Sequence, residues 1–176
     1  ITWIHNINPK LRKAIKEGVT VREIKTEEEV SAAYNILKEV YDNARLPLYS
    51  KAFFLSAWKI LSKTGNIKVF GAFSETKLVG TMIVLCYGNC IYDWYAGSLR
   101  SYYHKNPNDL IPWEVFKWGK ANDFTQFDFG GAGKPDKKYG VRDYKIKFGG
   151  EIVNPGRFEK IHQKKLFAFA KFGFGI

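Results

Sequence analysis

The stretch FDFGGAGKPDKKYGVRDYKIKFGG, from Phe127 to Gly150, joins an aromatic strand, a glycine-rich turn and a basic segment. Apolar and polar residues alternate as far as Asp128, which predicts a short strand at this point. Gly130 and Gly131 follow, and glycine lets the backbone turn sharply or approach a ligand closely. A second glycine pair closes the stretch. We therefore interpret it as a functional site.

The same stretch carries an excess of positive charge. Six lysine and arginine side chains stand between its glycine pairs, opposed by only two aspartates. Such an excess predicts a surface that attracts phosphates or carboxylates, with a solvated basic loop as an alternative of about equal weight. The predicted polyanion-binding residues are Lys134, Lys137 and Lys138.

An ordered set of motifs extends this pattern along the chain. DFGG at 128–131, YG at 139–140 and YKIKFGG at 144–150 follow RKAIKEGVTV at 12–21, WYAGS at 94–98 and LIPWEVFKWGKAND at 110–123. In this order the motifs resemble the Fem-type (FemABX) aminoacyltransferases, whose domains are variants of the GNAT acyltransferase fold. The resemblance spans most of the chain.

The resemblance implies an α/β fold (α+β mixed) with a mixed central sheet flanked by helices. It also implies that an amino acid moves from aminoacyl-tRNA to an amine of a nucleotide- or lipid-linked peptidoglycan precursor. Fem-type proteins usually carry two GNAT-like domains. Residues 1–176 are therefore expected to be a single domain, the C-terminal half of a longer protein whose N-terminal GNAT-like half is missing, and the activity of this half alone stays open.

The resemblance also points to catalytic residues. The family has a Phe-Lys pair shortly before the second glycine pair, and this chain has Tyr144 and Lys145 there. Lys145 is therefore the first catalytic candidate, a fixed cation for the oxyanion of the tetrahedral intermediate. Asp128 is the second, as a base or amine-orienting group, with a structural cap on backbone N–H groups as the alternative. The substrate-binding candidates are Tyr144, Tyr139, Arg142, Gly130, Gly131, Trp94 and Tyr95.

Composition favours one compact, cytoplasmic domain. The chain has 176 residues, of which 45% are hydrophobic, enough for a full core. Cys86 and Cys90 are expected to be buried thiols rather than a disulfide or a metal pair. We find no secretory segment and no apolar run near the roughly 20 residues that span a bilayer. The three histidines are scattered, so we expect no metal site and no cofactor.

Local patterns predict the order strand, two helices, three strands, helix, strand, helix, strand, which is the order of the GNAT fold. Before it, Asn8 and Pro9 start a short helix that ends before Gly18. Thr26 with Glu29 forms a capping box at the start of the next helix, and Ser50 signals the start of the one after it. The predicted strands are 19–24, 67–73, 78–87, 90–95, 125–129 and 151–161, and the predicted later helices are 109–122, capped by Asp109, then 141–148 and 164–172.

The connection AGSLRSYYHKNPND, from Ala96 to Asp109, bears on the acyl donor. Acetyl-CoA-dependent GNAT enzymes place a glycine-rich pyrophosphate loop here, where backbone N–H groups hold the phosphates. This connection has one glycine and two tyrosines. We therefore expect acetyl-CoA not to be the donor, as the resemblance to Fem-type proteins also implies.

The net charge of +11 predicts a polyanionic partner, which transfer RNA or a nucleotide-linked precursor would satisfy. Aromatic and basic residues interleave at 102–105 and 139–145, and such surfaces stack exposed bases. A basic pI without any partner, and aromatics that merely pack, are the alternatives. Three other functions compete: an acyl-CoA-dependent N-acyltransferase, a non-catalytic basic RNA-binding module and a structural remnant.

Overall fold

The computed structural model describes residues 9–133, 137–154, 156 and 160–174. They form two compact units, the first ending at Gly131 and the second beginning at Ala132. The first unit contains the sheet and four of the α-helices, and the second contains two more α-helices.

The first unit is built on a five-stranded sheet in the order β1-β2-β3-β4-β5. The first four strands pair antiparallel as a meander, and β5 pairs parallel with β4. The predicted GNAT-like mixed sheet is therefore confirmed. The strands are β1 Val19–Ile24, β2 Ile67–Ser74, β3 Lys77–Tyr87, β4 Cys90–Ser98 and β5 Gln126–Asp128.

Helices cover both faces of this sheet and divide the core in two. On one face α1 and α4 pack Leu11, Leu110 and Val115 against the sheet, and on the other α2 and α3 pack Leu37 and Phe54. Because β3 lies in the middle, nearly all of its length is buried on both sides. The helices are α1 Pro9–Lys16, α2 Glu27–Ala44, α3 Lys51–Leu61 and α4 Pro107–Ala121.

Side-chain caps start two of these helices as predicted. The hydroxyl of Thr26 accepts from the backbone N–H of Glu29 at 3.3 Å, and the hydroxyl of Ser50 accepts from that of Phe53 at 3.3 Å. Each cap satisfies a donor that has no partner within its helix. The predicted cap of α1, Asn8, lies outside the described residues.

The start of α4 differs from the prediction. Asp109 does not cap the helix, which begins two residues earlier at Pro107 and carries Pro112 in its interior. The fixed φ of a proline suits the first helical position, so Pro107 sets the start. Asp109 instead lies in the first turn, where only 6% of it is exposed.

The second unit contains α5, Gly140–Ile146, and α6, Lys164–Phe174, so both helices predicted there are confirmed. The strand predicted at 151–161 is wrong for the described residues of that range, none of which is in a strand. Alternation favours a strand only where a neighbour completes the hydrogen-bond ladder, and an isolated strand is not stable.

The two cysteines lie on neighbouring strands, Cys86 on β3 and Cys90 on β4. Cys86 and Cys90 are both free, with Cys86 buried and Cys90 half-buried. Burial is the main cause that raises the pKa of the Cys86 thiol to about 11, which leaves it protonated at neutral pH.

Among the described residues, no helix has the length and apolarity needed to cross a membrane.

Neighbouring phenylalanines of α3 provide a test of this packing. Phe54 is 2% exposed and Phe53 is 42% exposed. Phe54→Ala should lower the free energy of unfolding by about 3–5 kcal/mol, because it leaves a cavity between α3 and the sheet. Phe53→Ala, the matched control, should lower it by less than half as much. Urea unfolding of both variants measures this, and equal losses would contradict the assigned orientation of α3.

Candidate functional site

One edge of β4 has no pairing strand along residues 93–98, the larger part of its length, within the part of the chain that the structure describes. The parallel ladder with β5 contains only three residue pairs, from Cys90 with Gln126 to Tyr92 with Asp128. Beyond Tyr92, no strand among the described residues pairs with this edge of β4. Its backbone N–H and C=O groups can therefore bind an extended ligand, as in the addition of a strand to a sheet.

A β-bulge lies on the open half of β4. Val84 of β3 pairs with Asp93, and the preceding residue, Ile83, pairs with Tyr95, so Trp94 is an extra residue. Successive side chains of a regular strand point to opposite faces. The bulge breaks this alternation, and both Trp94 and Tyr95 pack on the face that carries α2 and α3.

There, Trp94 and Tyr95 join residues of α2, α3 and the loop between these helices. The ring of Phe54 lies 5.5 Å from that of Trp94 and 5.0 Å from that of Tyr95. We call this group the β4 aromatic cluster; its members are Tyr41, Tyr49, Phe53, Phe54, Trp94 and Tyr95.

Two hydroxyl groups of the β4 aromatic cluster, those of Tyr41 and Tyr95, have a raised pKa. Burial is the largest cause that raises the pKa of Tyr41 to about 12, and the charges of Tyr95 and Asp93 add to it. Burial also raises the pKa of Tyr95. Both hydroxyls are therefore neutral groups that can donate hydrogen bonds beside the open edge of β4.

The sequence prediction found Trp94 and Tyr95 but missed their partners. Tyr49 is 57% exposed and Phe53 is 42% exposed, although their rings lie 4.5 Å apart. Exposed aromatics that pack together are typical of ligand-binding surfaces. The available signal was the presence of aromatic residues on both sides of Ser50 in the sequence.

The turn after β5 brings Asp128, Gly130 and Tyr92 together. Oδ1 of Asp128 accepts from the backbone N–H of Gly130 at 2.7 Å. Gly130 has φ of 67°, and a Cβ at this position would lie 3.1 Å from the hydroxyl oxygen of Tyr92. Glycine is therefore required here, whereas Gly131 has open space around it. The structural role considered for Asp128 is present, and its catalytic role stays a prediction.

The connection from β4 to α4 contains no glycine cradle. A 3₁₀ helix, Arg100–Lys105, fills it. The hydroxyl of Ser98 lies 2.6 Å from Oδ1 of Asn108, within hydrogen-bonding distance, and the carboxylate of Asp109 lies in the first turn of α4. A carboxylate in this position interacts favourably with the positive end of the helix dipole. The first turn of α4 thus contains an acidic side chain, and the connection before it contains no run of glycines.

The first catalytic candidate, Lys145, lies in the second unit. It is half-buried in the last turn of α5, next to Tyr144. The ring of Tyr144 lies 5.3 Å from that of Phe148 in an edge-on arrangement. Among the predicted polyanion-binding residues, Lys137 and Lys138 are exposed, and Lys134 lies outside the described residues. The functional roles of these lysines stay predictions.

Two substrate-binding candidates of the second unit have visible structural contacts. Nε of Arg142 donates to the carbonyl of Ala132 at 3.1 Å, and Nη2 donates to that of Lys137 at 2.5 Å. A Cβ on Gly133 would lie 2.7 Å from Cδ1 of Tyr139, so this ring packs directly on the glycine. Arg142 and Tyr139 therefore shape the loop before α5, and their binding roles stay predictions.

No group of three or more His, Cys, Asp or Glu side chains is placed to hold a metal ion within the part of the chain that the structure describes.

Comparison with known proteins places this geometry in a family. The acetyltransferase (GNAT) domain family matches residues 4–145. No curated protein matches the chain in sequence. Among solved structures, FemX has a similar fold with a TM-score of 0.70 and 15% identity, over 80% of this chain and 52% of FemX. The chain therefore spans about half the length of FemX.

Two aminoglycoside acetyltransferases also share the fold. The enzyme AAC(6')-Iy, solved with a CoA-containing bisubstrate analogue, has a TM-score of 0.62 and 12% identity over 82% of this chain and 99% of its own. An enzyme from an uncultured soil metagenomic sample, solved with sisomicin, has a TM-score of 0.57 and 13% identity over 84% and 99%. At these identities the likeness concerns the fold alone.

Two substitutions at Asp128 distinguish its possible roles. Asp128→Ala should lower the free energy of unfolding by about 0.5–1.5 kcal/mol, because the bond to Gly130 is lost. Asp128→Asn should leave it unchanged, because the amide oxygen accepts the same bond. Thermal unfolding measures both. If Asp128 is also a base, the Asn variant will lose transfer activity at normal stability. Unchanged turnover would show that Asp128 acts only in the structure of the turn.

Proposed function

The chain belongs to the acetyltransferase (GNAT) domain family as a Fem-type member, and from this premise we propose that it transfers an amino acid from aminoacyl-tRNA to an amine of a peptidoglycan precursor. The family gives the domain type, that of an acyltransferase. The donor, the acceptor and the activity of the whole protein belong to the proposal.

The open edge of β4 is the observation that carries the proposal. An acceptor that contains peptide bonds can align along this edge and exchange backbone hydrogen bonds with it. The β4 aromatic cluster borders the same half of the strand and offers flat apolar surface with neutral hydroxyl donors. Because the ester of an aminoacyl-tRNA is already activated, the protein needs mainly to position the amine and assist its deprotonation.

The start of α4 supports a donor other than acetyl-CoA. Backbone N–H groups at a helix N-terminus bind phosphate when they are free to face it. Here the first turn of α4 carries the buried carboxylate of Asp109. A pyrophosphate brought to the same place would meet like charge, which disfavours its binding. This supports aminoacyl-tRNA over an acyl-CoA.

Lys145 is the proposed catalytic residue. Attack of the amine on the ester carbonyl forms a tetrahedral intermediate with a negatively charged oxygen, and a fixed ammonium group stabilises that charge. The assignment rests on the family's Phe-Lys pair and on the position of Lys145 beside Tyr144. In this scheme the oxyanion collapses, the new amide forms, and the 3′ oxygen of the RNA leaves with a proton.

An acyl-CoA-dependent N-acyltransferase is the second candidate, because two similar folds belong to aminoglycoside acetyltransferases.

The remaining parts of the proposal concern the whole protein. FemX is about twice as long as the matched region, which supports a second GNAT-like half as a partner of this chain. We also propose that transfer takes place in the cytoplasm, where aminoacyl-tRNA is made.

Calorimetry separates the two donors. Acetyl-CoA should bind with a dissociation constant well above the low micromolar range, because the side chain of Asp109 lies in the first turn of α4. An aminoacyl-tRNA with a non-hydrolysable 3′ amide should bind in the same buffer, with an affinity that falls steeply as salt is added. Low micromolar binding of acetyl-CoA would support the second candidate and refute the proposed donor.

Lys145→Ala tests the catalytic assignment in the complete protein that carries this chain. The single-turnover rate should fall by about 100-fold or more, since the loss of one oxyanion donor costs about 3 kcal/mol. The melting temperature should be nearly unchanged, because lysine is seldom part of a core.

Lys147→Ala is the matched control, two residues further along the same basic segment. Its side chain is exposed, so both the rate and the melting temperature should match those of the wild type. Normal transfer by the Lys145 variant would remove this residue from the mechanism.

A further inference from the structure

The connection between β4 and α4 carries a compact group of basic and aromatic side chains that the proposed mechanism does not use. It lies on the 3₁₀ helix Arg100–Lys105 and the adjacent turn between β2 and β3. We call this group the basic-aromatic surface; its members are Lys77, Arg100, Tyr102, Tyr103, His104 and Lys105.

Contacts within the first unit hold this surface together. Nζ of Lys105 donates to the hydroxyl of Ser74 at 2.9 Å, which ties the 3₁₀ helix to the end of β2. Nζ of Lys77 lies 5.1 Å from the ring centre of Tyr102. The ring of Tyr102 is nearly parallel to that of His104, with an angle of 20° between them. These contacts therefore orient the rings of Tyr102 and His104.

The outer members of the surface face solvent. Tyr103 is 48% exposed, and Arg100, His104 and Lys77 are also exposed. One carboxylate, Glu75, lies at the same turn, so cations remain in excess. Exposed rings beside cations match single-stranded nucleic acid, because bases stack on the rings and the cations neutralise phosphates.

We infer that the basic-aromatic surface binds the single-stranded 3′ end of an RNA. The inference rests on the proposed function, in which the donor is an aminoacyl-tRNA, and it assigns the part of this domain that holds the donor RNA. The surface follows β4 directly in the chain, so an RNA bound there lies at the end of the strand whose edge is open.

Strand geometry agrees with this placement. Tyr95 precedes Ser98, the last residue of β4, by three positions, which corresponds to about 10 Å at about 3.3 Å per residue. Three stacked nucleotides extend by a similar length, at about 3.4 Å each. An RNA end that stacks on the basic-aromatic surface can therefore place its terminal acyl group beside the open edge of β4.

Fluorescence anisotropy tests the inference with a labelled hairpin RNA that ends in a single-stranded CCA. Tyr103→Ala should weaken binding by about 5- to 150-fold, because one stacked base is lost. The matched control is Tyr87→Ala, a tyrosine that is 86% exposed at the turn between β3 and β4, and it should bind like the wild type. A blunt hairpin should bind weakly and respond to neither substitution.

The charged residues are tested by salt dependence. Neutralising Lys77 and Arg100 together, each to Gln, should reduce the slope of log affinity against log salt by about 1.4, at about 0.7 per single-strand phosphate contact. Lys63→Gln, which removes an exposed charge from another helix end, should leave the slope unchanged. Melting curves of all variants establish that each is folded.

The outcomes separate this inference from the proposed function. If the CCA hairpin binds and the Tyr103 and Lys77/Arg100 variants match their controls, the surface assignment is wrong while the donor class stands. The same holds if only substitution of Lys137 and Lys138 weakens binding. If the wild-type chain does not bind the hairpin, the surface assignment is wrong, and the donor class is then decided by the calorimetry with the aminoacyl-tRNA analogue in the complete protein. Tighter binding of CoA that depends on Tyr103 would assign the surface to acyl-CoA and also overturn the inference.

Discussion

The short parallel ladder between β4 and β5 is the constraint on which the candidate site depends. Because it ends at Tyr92 and Asp128, no strand among the described residues pairs with the rest of β4 on this side. The turn at Gly130 directs the chain away from β4 at this point, with its positive φ and its close approach to the ring of Tyr92. An open edge within a sheet is therefore produced by a three-residue strand and one glycine.

The bulge at Trp94 gives this edge its chemical character. In a regular strand, one of Trp94 and Tyr95 would face α4, and only the other would meet the aromatics of α2 and α3. With the extra residue, both rings join the β4 aromatic cluster, and burial raises the pKa of the Tyr41 and Tyr95 hydroxyls further above neutral pH. Bulges are frequent next to binding sites because they redirect side chains in this way.

The sequence predicted those features that depend on a few neighbouring residues. The caps at Thr26 and Ser50 involve residues three positions away, so they were readable and are confirmed. The start of α4 was misplaced because Asp109 matched a cap pattern, whereas Pro107 determines the first turn. The strand predicted at 151–161 failed because alternation does not reveal whether a pairing strand exists.

The site itself was only partly predictable, for the same reason. Trp94 and Tyr95 were identified through the WYAGS motif, but their partners Tyr49 and Phe53 lie about 40 positions earlier in the chain. Nothing in the local pattern indicates that these segments meet. The register shift in β4 is equally hidden, because it depends on pairing with β3 as a whole rather than on any residue of β4.

The connection between β4 and α4 shows how one fold accommodates different donors. The sheet and helices fix where an acyl group can meet an acceptor, and the connection alone determines what the rest of the donor contacts. Under the proposed function, the carboxylate of Asp109 in the first turn of α4 would disfavour a pyrophosphate, while rings and cations on the preceding 3₁₀ helix would favour stacked bases. Both features lie within ten residues of chain, from Arg100 to Asp109. On this proposal, a change of donor class requires no change in the sheet, because the connection that contacts the donor lies outside the sheet.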